Sequence, residues 1–223
     1  MEVRSKEELA RLIDHTILNP AATPEDVKKY CEEALSHGFW GVVVNPWYVS
    51  LAKSILGNRA KAMAVVSFPF GADKTSVKIE EAEEAINDGA DEIDMVMNIG
   101  AFKAGLYELV ERDVRAVVRL AHDYGVLVKV IIETGYLTPE EIIRASQIAA
   151  KAGADFVKTS TGYGPRGATV EDVQLMHKAV GGQARIKAAG GIRTAEQALA
   201  MIKAGASRIG SSRGVDIIRT FPS

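Results

Sequence analysis

Three lysines and one aspartate interrupt runs that otherwise read as buried strands. Lys158 lies in "ADFVKTSTGYG" (154–164), Lys129 in "VLVKVIIET", Lys187 in "ARIKAAGG" and Asp94 in "GADEIDMV". Lysine is seldom fully buried, because desolvating an ammonium costs several kcal/mol. Lys158 therefore either snorkels to water or is placed to be uncharged part of the time. Successive lysines are 29 residues apart. That is the length of a strand and a helix, so the three fall on neighbouring strands and can converge. An ammonium beside a second ammonium, in a partly desolvated cavity, has its pKa lowered by both effects. A neutral lysine amine adds to a carbonyl and forms a Schiff base. The iminium is an electron sink, so an adjacent C–C bond can break or form. Asp94 either carries protons, directly or through water, or is the ion-pair partner of a lysine.

The elements that must position these residues recur as a phrase. "INDGADEIDMV" (86–96), "AKAGADFVKTS" (150–160) and "IKAGASRIGSS" (202–212) each end a helix, cap it with Gly and open an apolar strand. Glycine suits the cap because a helix C-terminus commonly needs φ > 0. Counting five residues on from Gly89, Gly153, Gly182 and Gly205 gives Asp94, Lys158, Lys187 and Gly210, one structural slot. Strands are predicted at 12–15, 40–44, 61–66, 90–96, 126–132, 154–159, 184–188 and 206–210. Helical segments lie between them. "TPEEIIRASQIAAKA" offers Thr138 as N-cap and Pro139 at the first helical position. Such alternation implies parallel pairing, and nearly all-apolar strands imply that both faces are covered. The pattern predicts a single (β/α)8 TIM barrel over residues 1–223 with a short N-terminal helix. A doubly wound open sheet is the alternative, but such sheets usually have about five or six strands. In a barrel, polar residues at the C-terminal ends of strands read as site residues. Shear staggers adjacent strands, so equal offsets do not guarantee equal height.

Two glycine-rich loops add a second function. "KAAGGIRT" (187–194) follows the seventh strand and "RIGSSRG" (208–214) the eighth. Barrels often bind phosphate with these two loops. Gly190 and Gly191 would let backbone N–H groups approach an anion. Gly210, Ser211 and Ser212 would offer backbone and hydroxyl donors, and "STGYG" (160–164) a third wall. The plainer reading is that these glycines only make tight turns.

Composition limits the other classes. The net charge of −2 gives no basis for binding nucleic acid or an anionic membrane, so any phosphate site must be local. One cysteine, Cys31, allows no intrachain disulfide and fits a cytoplasmic setting. "MEVRSKEELARLIDHT" lacks the apolar core of a signal peptide, and no apolar run approaches the ~20 residues of a membrane span. His15, His37, His122 and His177 have no close ligand spacing, so no metal is expected. His37, His122 and His177 read as surface or capping residues, and Cys31 as packing.

Together "LIDHTILNP", "GADEIDMVMNIG", "LVKVIIETGYLT", "DFVKTSTG" and "IKAAGGIRT" resemble the deoxyribose-phosphate aldolase family, from about residue 10 to 214. The resemblance implies a class I, cofactor-free lyase of deoxyribonucleotide catabolism. That family reversibly splits 2-deoxy-D-ribose 5-phosphate into acetaldehyde and D-glyceraldehyde 3-phosphate. It implies Lys158 as the Schiff-base lysine, Lys187 as the lysine that perturbs it, and Asp94 as the proton relay. It further implies Lys129 near a substrate hydroxyl, Asp14 in the same polar network, and Thr16 lining the site. Gly162, Gly190, Gly191, Arg193, Gly210 and Ser212 match the phosphate-contacting region. Family members are commonly homodimers or homotetramers. Two other readings stay open: a class I aldolase for a different phosphosugar, and a non-catalytic phosphosugar-binding barrel.

The sequence departs from the family pattern in three places. Val43 stands where members often carry a cysteine, so less modification by unsaturated aldehydes is expected there. Arg213 falls where a second serine is common, and either reaches the phosphate or points to solvent. The sequence ends at "RTFPS", without the longer tail whose tyrosine assists proton transfer in some members, so slower turnover is expected.

Overall fold

Each copy of the repeated phrase becomes the junction of a helix with a strand. The computed structural model describes residues 2–222. Its strands are β1 (Ile13–Ile17), β2 (Gly41–Val44), β3 (Lys61–Val66), β4 (Glu92–Val96), β5 (Leu127–Ile131), β6 (Phe156–Lys158), β7 (Arg185–Ala189) and β8 (Arg208–Ser211). They pair in parallel in chain order, and β8 closes on β1. Closure excludes the open sheet and makes the fold a (β/α)8 TIM barrel. All the predicted strands are present, with boundaries shifted by no more than two residues.

The helices are α1 (Lys6–Ala10), α2 (Pro24–His37), α3 (Val49–Leu56), α4 (Thr75–Asn87), α5 (Ile99–Lys103), α6 (Tyr107–Asp123), α7 (Pro139–Lys151), α8 (Val170–Val180), α9 (Ala195–Lys203) and α10 (Gly214–Arg219). The short N-terminal helix is α1, capped by the Ser5 side chain. α7 starts as its sequence predicts. The Thr138 side chain accepts from Glu141 N, the Glu141 side chain accepts from Thr138 N, and Pro139 occupies the first turn. α2 and α9 repeat this reciprocal cap with Thr23–Asp26 and Thr194–Gln197. Each such cap contributes about 1 kcal/mol. Along α6, Val110, Val114, Val117, Val118 and Ala121 share one face and are buried. Burying each valine stabilises by roughly 1.5 kcal/mol or more. A charge placed at Val117 would be trapped in that seam without a partner.

The main core lies between the helices and the outer faces of the strands. The barrel interior is divided. Leu18, Val43, Met63 and Val65 form a small apolar cluster on the β1–β3 side. The rest of the interior carries the polar residues. Cα register pairs Lys158 with Lys187 on one side and with Ile131 on the other. Lys129 instead pairs with Phe156 and Asp94. Shear thus sets Lys129 two residues below the Lys158 rung, although their sequence spacing is equal.

Candidate active site

Asp94 is the hub of the interior. Its Oδ2 accepts from Lys158 Nζ at 2.8 Å and from Lys187 Nζ at 2.7 Å. Its Oδ1 accepts from Lys129 Nζ at 2.7 Å. Lys129 Nζ also lies 2.6 Å from Glu92 Oε2. Lys187 Nζ lies 2.5 Å from Asp14 Oδ2, an ion pair outside hydrogen-bond geometry. Arg208 completes the floor, with Nη1 donating to Asp14 Oδ1 at 2.9 Å and to Glu92 Oε2 at 3.3 Å. Its guanidinium stacks on Trp40, whose indole N–H donates to Glu92 Oε1 at 2.8 Å.

The network holds three carboxylates, Asp14, Glu92 and Asp94, and four cationic side chains, Lys129, Lys158, Lys187 and Arg208. Fully ionised, it carries one positive charge too many for a buried site. Buried ions are tolerated only when paired, so this cluster is poised to release one proton. Lys158 is the group that gives it up. Burial and the neighbouring Lys187 ammonium push its amine down to about 8, against the pull of Asp94. Burial works against ionisation of Asp94, yet Lys129, Lys158 and Lys187 outweigh it and hold the carboxyl well below its ordinary range. Asp14 is likewise held low, with Lys187 and Arg208 overcoming burial. Lys129 moves the other way. Burial would lower it, but Asp94, Glu92 and Asp14 together raise it above its ordinary value. So the site contains one lysine ready to be neutral and one locked as a cation.

Above this network opens a cavity of about 490 Å³. Lys158 lies on its wall, whereas Asp94, Lys187, Lys129 and Asp14 are enclosed behind it. Lys129 and Asp14, expected beside the substrate, therefore sit in the floor and act on the cavity only through their ion pairs. Thr16 lines the cavity from β1. Gly190, Gly191 and Arg193 line it from the loop after β7, Gly210 and Ser211 from the C-terminal end of β8, and Ser212 from the loop that follows. The third wall, expected from "STGYG", is formed by Thr161, Gly162 and Tyr163. Ser211 is partly committed elsewhere, since its hydroxyl donates to Ile192 O at 2.6 Å and ties the two phosphate-type loops together. Gly190 has φ 93 and packs its backbone against Gly167, where a Cβ would come within 2.2 Å of Gly190 O. That close approach is what these glycines permit. Arg213 also lines the cavity, but its guanidinium is mostly exposed and bonds Asp216 at 3.1 Å.

Three residues of consequence were absent from the sequence-based set. Arg208 and Glu92 lie two positions before Gly210 and Asp94, on the same inward faces, so the strand period of two could have found them. Tyr30 reaches the cavity from α2 and offered no such signal. His15, in the middle of β1 beside Asp14, faces outwards; it stacks on Tyr30 and bonds Glu33 at 2.8 Å. Cys31 is buried in α2, as expected of a packing residue.

A parallel barrel with a lysine of lowered pKa on the wall of a glycine-lined cavity defines an enzyme suited to amine chemistry on a carbonyl. Comparison with known proteins specifies the family. Residues 9–220 match the family described as DeoC/LacD family aldolase. The deoxyribose-phosphate aldolase of Thermococcus gammatolerans is 58% identical over 214 residues, which are 95% of each chain. A solved structure described as a putative deoxyribose-phosphate aldolase from Coccidioides immitis has TM-score 0.94 and 41% identity, covering 98% of this chain and 87% of that one. The tetrameric deoxyribose phosphate aldolase of Aeropyrum pernix has TM-score 0.91 and 35% identity, covering 97% of this chain and 92% of that one. The chain belongs to the DeoC/LacD family of aldolases. It is a lyase of the class I, Schiff-base kind that is general to that family.

Proposed function

We propose that this enzyme reversibly cleaves 2-deoxy-D-ribose 5-phosphate to acetaldehyde and D-glyceraldehyde 3-phosphate, with Lys158 as the nucleophile. The observation that carries the assignment is the shared Asp94 oxygen, 2.8 Å from Lys158 Nζ and 2.7 Å from Lys187 Nζ, behind a cavity walled by glycines. The neutral Lys158 amine attacks C1 of the open-chain sugar. The carbinolamine loses water and leaves the iminium. A base removes the proton of the C3 hydroxyl, and the C2–C3 bond breaks. Its electron pair moves into the iminium and gives an enamine, while C3 becomes the aldehyde of glyceraldehyde 3-phosphate. The enamine takes a proton at C2, and water then releases acetaldehyde and the free amine.

Asp94 and Lys187 supply the proton path in this proposal. Asp94 stays ionised beside the amine, and Lys187 shares its oxygen, so a proton leaving Lys158 has an acceptor network within hydrogen-bond reach. The loops after β7 and β8, with Arg193 and Ser212, hold the phosphate. Burial of Lys158 supports the role directly, because an amine in water would be protonated at neutral pH.

We further propose that residues 1–223 act as one catalytic domain in the cytoplasm and assemble as a homodimer or homotetramer. Trp47, on the turn after β2, is 87% exposed and is a candidate for such an interface. The substrate assignment is tested by incubating the purified enzyme with 2-deoxyribose 5-phosphate and measuring acetaldehyde release. Release that Lys158→Ala abolishes is the expected result. Turnover of a different sugar phosphate alone would redirect the assignment to that substrate. Phosphosugar binding without turnover would favour a binding barrel.

A further inference from the structure

Glu133 is a buried carboxylate that the proposed chemistry leaves unused. It follows β5, is 1% exposed, and adopts φ 52, ψ 68, a left-handed conformation uncommon outside glycine. Such strain persists only where the surroundings fix it, and it concentrates at functional sites. Here the surroundings are specific. Glu133 Oε2 accepts from Thr161 N at 3.1 Å and also from the Thr161 hydroxyl. The Thr161 oxygen in turn accepts from Tyr163 N at 3.0 Å. The Tyr163 hydroxyl donates to Leu18 O at 2.9 Å, beyond β1. Gly164 leaves room for this arrangement, since a Cβ there would lie 2.7 Å from the Glu133 carboxyl carbon. One carboxylate oxygen therefore fixes the turn that follows the Schiff-base lysine, and the turn is pinned at its far end to another strand.

That turn is the third wall of the cavity, while Glu133 itself does not line it. We propose that Glu133 is a positioning residue that presets the Thr161–Gly162 wall for the phosphate of the substrate. This rests on the phosphosugar reading above. Gly162, at φ 89, gives the turn little stiffness of its own. Ordering it before binding spares that entropy cost when the anion arrives. Lys158 Nζ is held by Asp94 and not by Glu133, so the amine chemistry does not depend on this clamp.

Two readouts separate positioning from general structure. One is the affinity for 2-deoxyribose 5-phosphate and for inorganic phosphate as an inhibitor. The other is the rate of borohydride-trapped adduct formation with acetaldehyde, which carries no phosphate. Glu133→Asp cannot reach Thr161, so KM and the phosphate inhibition constant should rise about tenfold while trapping slows by less than about threefold. Glu133→Gln keeps an acceptor oxygen and should restore both constants to within about threefold of the parent. Unchanged phosphate affinity in Glu133→Asp, or a parallel loss of affinity and trapping, would overturn the proposal. Should Glu133→Asp fail to fold, the parent enzyme provides the test. The Thr161 amide should be protected from hydrogen exchange before any ligand is added, and exchange at the free-peptide rate would contradict the clamp. Failure of the functional reading is seen separately, as a parent enzyme that gives no trapped adduct at all; the phosphate inhibition constant or direct phosphate binding still decides the role of Glu133.

Discussion

Lys158 and Lys187 share a single oxygen of Asp94, at 2.8 and 2.7 Å. Two ammonium groups on one acceptor repel each other, and burial removes the water that would screen them. The Lys158 amine, at about 8, relieves that repulsion by losing its proton.

The first prediction concerns pH. With a pKa of about 8, roughly a tenth of Lys158 is neutral at pH 7. Iminium formation should therefore rise with pH, reach its half-maximum near 8 and level off about one unit higher. Lys187→Met removes a charge that lowers Lys158, so the profile should move to higher pH. Asp94→Asn removes a charge that raises it, so the profile should move to lower pH. Trapping rates across a pH series check both signs. A shift in the same direction for both variants would contradict the assignment.

Stability should follow the same groups. The unfolded Lys158 binds its proton up to about pH 10.4, and the folded one only to about 8. The unfolded state thus holds more protons in that window, and the Lys158 contribution improves as pH rises through it. Asp94 follows the same sign in a more acidic window. Its stabilisation is present above the ordinary carboxyl pKa and is lost on acidification. Denaturant titrations of the parent and Lys158→Met, compared at pH 7 and 9, should show the parent gaining stability relative to the variant at the higher pH.

Arg208 should matter for stability more than its distance from the cavity suggests. Arg208→Met leaves Asp14 and Glu92 buried with fewer partners. Removing one partner of a buried ion pair costs about 3–5 kcal/mol. Denaturant unfolding should show a loss of that order, whereas a loss below about 1 kcal/mol would mean that water replaces the guanidinium.

Gly210 couples the phosphate loop to the lysine pair. A Cβ at this position would lie 3.0 Å from Lys187 Cε and 3.0 Å from Ala189 Cβ. Gly210→Ala should displace Lys187 and lower kcat by about tenfold or more, since small displacements of catalytic groups are costly. Steady-state kinetics with 2-deoxyribose 5-phosphate would show it. A change in KM alone would assign Gly210 to the phosphate only.

Reaction with unsaturated aldehydes should spare this enzyme's single thiol. Val43 is buried in the barrel interior, and the Cys31 thiol is buried in α2 with its pKa pushed up to about 12 by burial and by Glu32. The thiolate is the nucleophile, so Cys31 should be inert. Mass mapping after crotonaldehyde treatment should find no adduct there. Modification of Lys158 or another residue at the barrel mouth would cancel the benefit expected from Val43.

Much of this site was legible because helix–strand repeats convert sequence position into place on the barrel. The slot five residues after Gly89, Gly153 and Gly182 located Asp94, Lys158 and Lys187, which the structure brings together. The 29-residue spacing left the height of Lys129 open, and the structure sets it lower, because its partner across the β5–β6 rung is Phe156 and not Lys158. Shear belongs to the closed sheet and leaves no mark in one strand's sequence. Arg208 and Glu92 were overlooked because each reads as an ordinary charged strand end. Their burial depends on each other, on Asp14 and on Trp40, which come from distant parts of the sequence. The Glu133–Thr161 clamp was beyond sequence reading for the same reason. It joins two turns 28 residues apart through a left-handed glutamate.

The central claim is that Lys158 is a neutral, nucleophilic amine, and one measurement addresses it directly. The enzyme is incubated with acetaldehyde and borohydride at neutral pH, digested, and mapped by mass spectrometry. An ethyl group on the peptide carrying Lys158, lost in Lys158→Ala, is the predicted result. No adduct, or adducts scattered over exposed lysines with Lys158 untouched, would contradict it.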